Sequence, residues 1–458
     1  MTPTAWISGS AGLLGPSPVA PPTLAAAPSL DALMPMLAVL GIALAVSLIL
    51  TPVMRRIALA SGIVDWPDAK RKAHAKPVAY LGGVAIFLGW LAGVVYFILM
   101  LAPDVFGAAV TLPEGVPEFP RESFPLSIVA GALAILITGL FDDVYGISAR
   151  VKIGGQLFAA AAIASEDVGT HLVDQTFLLL GMAEILPAWA PYWLGTAAIA
   201  GLIIGGCNAL NLVDGLDGLA SGITGIAAIG LGIIAILFIT TSGYADATPR
   251  GIIPLIMCLA MLGAVLGFLP YNFNPASIFM GDTGSLLLGY LTVTTILMFG
   301  DCRGWAPIMF SAGIVCFALP ITDTALSIVR RKLQGRPIFA PDAMHIHHML
   351  RRSGLSVKQA VLTMYTIAFV FAALGVTTTA LRLPWKLAMA LFVALVALIM
   401  VVGYRTSRRL SADDKAAAAT PAEAPAPGEE HGGHGTTHPT LGSAVDPDAT
   451  PSPTLPPR

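Results

Sequence analysis

About eleven apolar runs, most of them long enough to cross a bilayer, dominate this 458-residue chain. They lie near 33–53, 80–101, 126–141, 152–165, 192–208, 217–241, 252–270, 283–300, 305–329, 361–381 and 384–403. A hydrocarbon core of roughly 30 Å needs about 20 helical residues, so the runs near 126–141 and 152–165 need flanking residues or a tilt. Only 11% of residues are charged, where soluble chains hold about 25%; a soluble protein so composed would expose large apolar patches. The expected fold is an all-α polytopic membrane protein with about eleven transmembrane helices.

Charge then orients the bundle. With the N-terminus outside, twenty of the 25 Lys and Arg residues fall on one side. Arg55, Arg56, Lys70, Arg71, Lys72 and Lys76 follow the first helix, and Arg150 and Lys152 the third. Arg330, Arg331, Lys332, Arg336, Arg351, Arg352 and Lys358 follow the ninth, and Arg405, Arg408, Arg409, Lys415 and Arg458 lie in the tail. Arg121, Arg250, Arg303, Arg382 and Lys386 remain opposite. The positive-inside rule makes the basic side cytosolic, with the N-terminus out and the C-terminus in. Residues 1–31, Ala/Pro-rich without Lys or Arg, read as a disordered lead-in. Residues 32–405 form the membrane domain, and 406–458 a disordered tail whose composition cannot bury a core. His431, His434 and His438 in that tail read as solvated. The external stretch THLVDQTFLLLG alternates weakly and suggests a short hairpin. Cys207, Cys258, Cys302 and Cys316 have no metal-ligand spacing and read as apolar fillers.

Polar residues gather at the ends assigned to the cytosol. Asp142 and Asp143 end the third helix in GLFDDVYG, and adjacent carboxylates at a membrane boundary call for a cation or a proton. Lys152 stands nearby at the start of the fourth helix. Asn208, Asn211, Asp214 and Asp217 recur every third residue, which on a helix traces a slowly turning stripe. Gly215 and Gly218 permit a break in that helix. Asn272 precedes FMGDTGS, where Asp282 opens the eighth helix and reads either as a site carboxylate or as a plain N-cap. The loop DAMHIHHMLRR groups His345, His347 and His348 with arginines, a pattern suited to an anion. The first cytosolic loop adds Asp65, Arg71, Lys72 and His74, and Gly82-Gly83 opens the next helix. Carboxylates with Asn suit Mg²⁺, and basic and histidine-rich loops suit a diphosphate. Together they read as metal-assisted phosphoryl transfer at a membrane surface.

These motifs resemble one family. GLFDDVYGI, NALNLVDGLDGLASG, NFNPASIFMGDTGS and DAMHIHHML are similar in order and spacing to polyprenyl-phosphate N-acetylhexosamine-1-phosphate transferases, over roughly residues 33–405. The VDxPxxxRKxH element of the first loop fits too, with Asp68 where Asn is more usual. The resemblance implies a bacterial cytoplasmic-membrane enzyme that moves a sugar-1-phosphate from a UDP-sugar to undecaprenyl phosphate and releases UMP. HIHH followed by LRRSGLS resembles the branch that uses UDP-N-acetylglucosamine to start a lipid-linked envelope glycan. The branch acting on the UDP-MurNAc-pentapeptide usually shows three consecutive histidines, absent here.

Carried over residue by residue, the resemblance makes Asp282 the principal Mg²⁺ ligand (Mn²⁺ being an acceptable substitute), with Asn211 beside it. Asp142, Asp143 and Asp214 are the catalytic carboxylates, one of the adjacent pair acting on the lipid phosphate as base or by positioning it. Lys152, Asn208, Asp217, Asn272, His345, His347, His348, Arg71, Lys72 and His74 would bind substrate. The expected partners are the UDP-sugar and the acceptor lipid, with no nucleic acid, and a homodimer is allowed. A transporter would also hold acids within the membrane, but it calls for an internal repeat that this sequence does not show.

Overall fold

A computed structural model describes residues 34–66, 77–102, 124–170, 187, 189–241, 244–302, 305–337 and 344–419. Contacts divide the chain into Met1–Ser411 and Ala412–Arg458. Of the second unit, only helical residues 412–419 are described, and every contact below lies in the first.

Long apolar runs bury no polar side chain when they coil, and an α-helix satisfies its own backbone, so in lipid each run becomes a helix. Thirteen α-helices occur among the described residues. α1 is Leu37–Ala60 and α2 is Gly82–Tyr96, which continues as a π-helical turn through Leu101. α3 is Leu126–Tyr145, α4 Ala149–Ser165, α5 Ala190–Val213, α6 Leu219–Thr241 and α7 Tyr244–Asn272. α8 is Gly281–Met298, α9 Ala306–Cys316, α10 Ala318–Leu333, α11 Ile346–Arg352, α12 Val357–Ala380 and α13 Trp385–Ala419. The two-residue strands β1 (Val64–Asp65) and β2 (Val78–Ala79) pair antiparallel between α1 and α2.

Nine of the described helices are long and apolar enough to cross a membrane, and α9 with α10, bent by 66° at their junction, counts as a tenth if the pair is one broken span. The expected eleventh is α4. Its 17 residues span about 25 Å at 1.5 Å each, short of the hydrocarbon core. The run expected at 126–141 is extended by flanking residues on its C-terminal side to Tyr145, so Asp142 and Asp143 fall in the last turn of α3, at the end where they were expected. α13 runs past the expected boundary at residue 405, and residues 420–458, like 1–33, lie outside the described residues. So does the expected hairpin, apart from its first residue.

α8 occupies the centre. Its apolar window is wholly buried, whereas only 11% of the corresponding window of α13 is. The sequence of α8 permits this. Thr292 and Thr295 return their hydroxyls to carbonyls four residues back, at 2.7 and 2.8 Å, so these two polar groups are satisfied within the helix. Its neighbours approach through glycine. A Cβ on Gly139 of α3 would lie 2.5 Å from the Thr283 Cα, and one on Gly83 of α2 would collide with the Gly284 backbone. The same contacts draw the ends of α2 and α3 onto the start of α8. The four cysteines are buried and form no disulfide among the described residues, as fillers should.

Candidate active site

The segment before α8 is clamped from two sides. Phe279 donates its backbone N–H to Ala79 at 2.8 Å, and Gly82 and Gly83 donate to the Phe279 and Met280 carbonyls. The chain then turns at Gly281, whose φ of +66° suits glycine.

The exposed N–H groups of α8 are capped from another helix. The Asp143 carboxylate accepts from the Asp282 N–H at 2.8 Å, the Thr283 N–H at 3.0 Å and the Thr283 hydroxyl at 2.6 Å. A carboxylate there satisfies orphan donors and opposes the positive end of the helix dipole. This overturns the reading of Asp282 as a plain N-cap: Asp143 does the capping, and the Asp282 side chain is directed elsewhere.

Asp282 is held by α4 and α5. Its Oδ2 lies 2.5 Å from Lys152 Nζ, and its Oδ1 accepts from Asn211 Nδ2 at 2.8 Å. Lys152 Nζ also lies 2.7 Å from Asp142 Oδ2. Two carboxylates from different helices thus close on one cationic atom. Asp142 is fixed in turn by the Ile147 N–H, 3.0 Å from its Oδ1. Asn208 reaches Gln156 of α4 at 3.0 Å, away from the carboxylates.

The polar stripe does not continue as one helix. α5 stops at Val213, Gly218 adopts a φ of +78°, and α6 starts at Leu219. Asn208 and Asn211 therefore lie on α5, while Asp214 and Asp217 lie in the break. Burial, then the charges of Asp282, Asp143 and Asp217, push the Asp214 carboxyl up to about 8. Asp217 instead accepts from Asn274 Nδ2 at 2.8 Å and the Ala276 N–H at 3.0 Å, tying the break to the loop before α8.

Asn272 has a different job from the substrate contact that the resemblance implies. It is buried, accepts from the Gly218 N–H and the Ser221 hydroxyl, and donates to the Ile278 carbonyl. Each bond joins two chain segments, so Asn272 acts as a clamp.

The histidines form a second cluster. His345 precedes α11, and its Nδ1 lies 2.8 Å from Asp323 Oδ2 on α10. His347 stacks parallel on His345 with centroids 5.8 Å apart, and lies 4.2 Å from the His348 ring. Its Nε2 faces Gly215, where a Cβ would collide with it. The histidine loop and the α5–α6 break therefore touch. Burial, reinforced by His348, holds His347 down at about 3, with Asp323 opposing. Its imidazole is neutral, and neither ring nitrogen has a protein partner. Of the remaining candidates, Arg71, Lys72 and His74 lie outside the described residues.

Several participants escape sequence reading. Asp323 sits in a run taken as a plain membrane span. Tyr365 donates to the Gly218 carbonyl at 2.5 Å across 147 positions. Tyr80, bonded to Asp65, has its phenol pushed up by burial and then by Asp65. Asp323 alone left a signal, an acid inside an apolar run.

Helix ends that gather carboxylates, a lysine and histidines at one end of an apolar bundle fit a membrane-embedded transferase of phosphorylated substrates. Comparison with known proteins is consistent with that class: residues 125–300 match the model for glycosyl transferase family 4. A probable undecaprenyl-phosphate N-acetylglucosaminyl 1-phosphate transferase of Bacillus subtilis is 37% identical over 325 residues, covering 71% of this chain and 80% of the relative. A decaprenyl-phosphate N-acetylglucosaminephosphotransferase of Mycolicibacterium smegmatis is 32% identical over 76% of this chain and 83% of its own. A phospho-N-acetylmuramoyl-pentapeptide-transferase of Bacillus cytotoxicus is 30% identical over 73% and 94%. The chain belongs to the polyprenyl-phosphate N-acetylhexosamine-1-phosphate transferase family.

Proposed function

We propose that this enzyme transfers N-acetylglucosamine-1-phosphate from UDP-N-acetylglucosamine to undecaprenyl phosphate, releasing UMP, and so starts a lipid-linked envelope glycan. The observation that carries the reading is the convergence of Asp142, Lys152, Asn211 and Asp282 within hydrogen-bonding distance. They meet at one end of helices that are otherwise apolar. A lipid phosphate held at headgroup depth and a water-soluble nucleotide sugar can meet there. The excess of Lys and Arg at that end favours the cytosolic face of the inner membrane.

The oxygen donors fit Mg²⁺. Asp142 and Asp282 already direct carboxylate oxygens at one cationic atom, and Mg²⁺ is commonly held by one or two carboxylates together with substrate phosphates. Among the described residues no group of three or more His, Cys, Asp or Glu forms a metal cage, so the remaining ligands of such an ion would have to come from substrate and water. Asp282 and Asp142 would hold the ion, with Asn211 orienting Asp282. When bound, it would neutralise charge on the diphosphate.

The chain's own groups divide the remaining work. Asp143 spends both carboxylate oxygens on α8, so it fixes Asp282 in place. Asp142, attached through Lys152, is the member of the pair that would act on the lipid phosphate. Lys152 can transfer its ammonium from the carboxylates to a phosphate oxygen. A phosphate with a second pKa of about 6 is largely dianionic at neutral pH, so in-line attack needs little base assistance. The neutral His347 offers one donor and one acceptor to the donor substrate, beside the α5–α6 break.

The test is UMP release by purified protein given undecaprenyl phosphate, Mg²⁺ and a panel of UDP-sugars. UMP from UDP-N-acetylglucosamine is expected. None from any donor would sink the proposal, and UMP from the pentapeptide donor alone would move the enzyme to the peptidoglycan branch. Removal of divalent ions by chelation should stop the reaction, and readdition of Mg²⁺ should restore it.

A further inference from the structure

The histidine cluster depends on a carboxylate that lies outside it in sequence. Asp323 is fully buried on α10, downstream of the 66° bend that separates α9 from α10. An uncompensated carboxylate in such a place is costly, and Asp323 is compensated by one segment. Its Oδ1 accepts from the Ile346 N–H at 2.7 Å, the first residue of α11. Its Oδ2 lies 2.8 Å from His345 Nδ1. This contact fixes the plane of the His345 ring. Ser327, one turn along α10, lies 3.2 Å from the same nitrogen and accepts from Arg330 at 3.4 Å. Thus α10 grips the backbone of Ile346, which starts α11, and the ring of His345 just before it.

The consequence passes through the stack. His347 lies parallel against the fixed His345 ring, and its Nε2 edge meets Gly215 in the α5–α6 break. His347 has no protein hydrogen bond of its own, so packing alone determines where its nitrogens point. That packing starts at Asp323.

We propose that Asp323 is a positioning residue for the donor substrate: it docks the start of α11 on α10 and, through His345, aims His347 into the site. This rests on the reading of function above. Its loss should act on donor binding rather than on the acceptor, because the lipid-phosphate groups Asp142 and Lys152 belong to other helices.

The experiment measures UMP release, with donor and acceptor varied separately, for Asp323→Ala, Asp323→Asn, His345→Ala and the Asp323→Ala/His345→Ala double variant. Loss of an outer-shell partner typically costs about 10- to 100-fold, and a rise of that order is expected in the donor KM of Asp323→Ala. The acceptor KM should stay near wild type. The double variant should be no worse than the poorer single variant, because residues acting through one another are not additive. An unchanged donor KM, equal losses for both substrates, or fully additive losses would each overturn the proposal. Should Asp323→Ala fail to fold, Asp323→Asn carries the test. Asn presents one acceptor where Asp presents two, so a wild-type donor KM in that variant overturns it. Hydrogen exchange in 344–352 gives a readout free of turnover: faster exchange in Asp323→Asn is expected, and unchanged exchange overturns the proposal. No UMP from wild type with any donor defeats the functional reading, while an active wild type indifferent to Asp323 defeats only this inference.

Discussion

The carboxylate cluster around Asp282 and the histidine cluster around His347 lie at the same end of the bundle but are built on opposite principles. Around Asp282, charge is balanced by charge: two carboxylates share Lys152, and a third caps the helix that bears the first. Around His347, the ring that meets the α5–α6 break is itself uncharged and is held by stacking and by a glycine. The first arrangement suits groups that exchange partners as an ion or phosphate arrives. The second suits recognition of a ligand by hydrogen bonds, with unpaired nitrogens waiting for it. A phosphotransferase needs both, and this chain builds them from different helices.

The sharpest way to break the comparison is at Asp282. Asp282→Asn should reduce UMP release about 1,000-fold, as loss of a central charge-stabilising group does, while gel filtration in detergent shows a folded protein. Substantial retained turnover would remove it from the reaction centre.

Next comes the division of labour between adjacent acids. Asp143→Asn should lower both activity and stability, the latter by about 1–3 kcal/mol for its broken cap. Asp142→Asn should lower activity while leaving the melting temperature close to wild type. Equal melting shifts in the two variants would erase the distinction.

At the histidine cluster the effects are smaller and fall on the donor. His347→Ala should raise the donor KM about 10-fold, equivalent to roughly 1.4 kcal/mol. Gly215→Ala, whose methyl would meet Nε2, should shift it in the same direction by about 5-fold, an overpacking cost of ~1 kcal/mol. Turnover assays with varied donor read both. An unaltered donor KM in His347→Ala would leave that ring as packing only.

The smallest effect is a pH dependence of stability. His347 has its pKa lowered from 6.5 to about 3 by burial, so between those values the unfolded chain binds the extra proton. Stability contributed by the neutral ring is therefore present above pH 6.5 and lost as pH falls toward 3. His347→Gln should flatten that part of the melting curve against pH, and an unchanged slope would show that the ring is not buried as described.

Much of this was legible in the sequence because the membrane makes polar residues conspicuous. An Asp or Asn inside an apolar run stands out at once, which is how Asp142, Asp143, Asn211, Asp214 and Asp282 were found. Helix count and placement followed from run length, and α4 was marked as short for the same reason. Asn272 was found equally easily, yet its role differed, because conspicuousness reveals that a polar group has partners without revealing which. Asp323 was overlooked among arginines and apolar residues.

The sequence by itself determined that this chain is a helical membrane protein and where its polar residues concentrate, because period, run length and charge are local properties. Tertiary structure alone decided who serves whom. Asp143 caps a helix that starts 138 positions later in the chain, and Asp323 grips a histidine 22 residues away. The α5–α6 break is held by Asn272, Tyr365 and His347, from three separate segments. A hydrogen bond depends on distance in space, and spacing along a folded chain carries no such distance. Only the close approach of helices through glycines such as Gly139 and Gly83 turned a list of acids into a site.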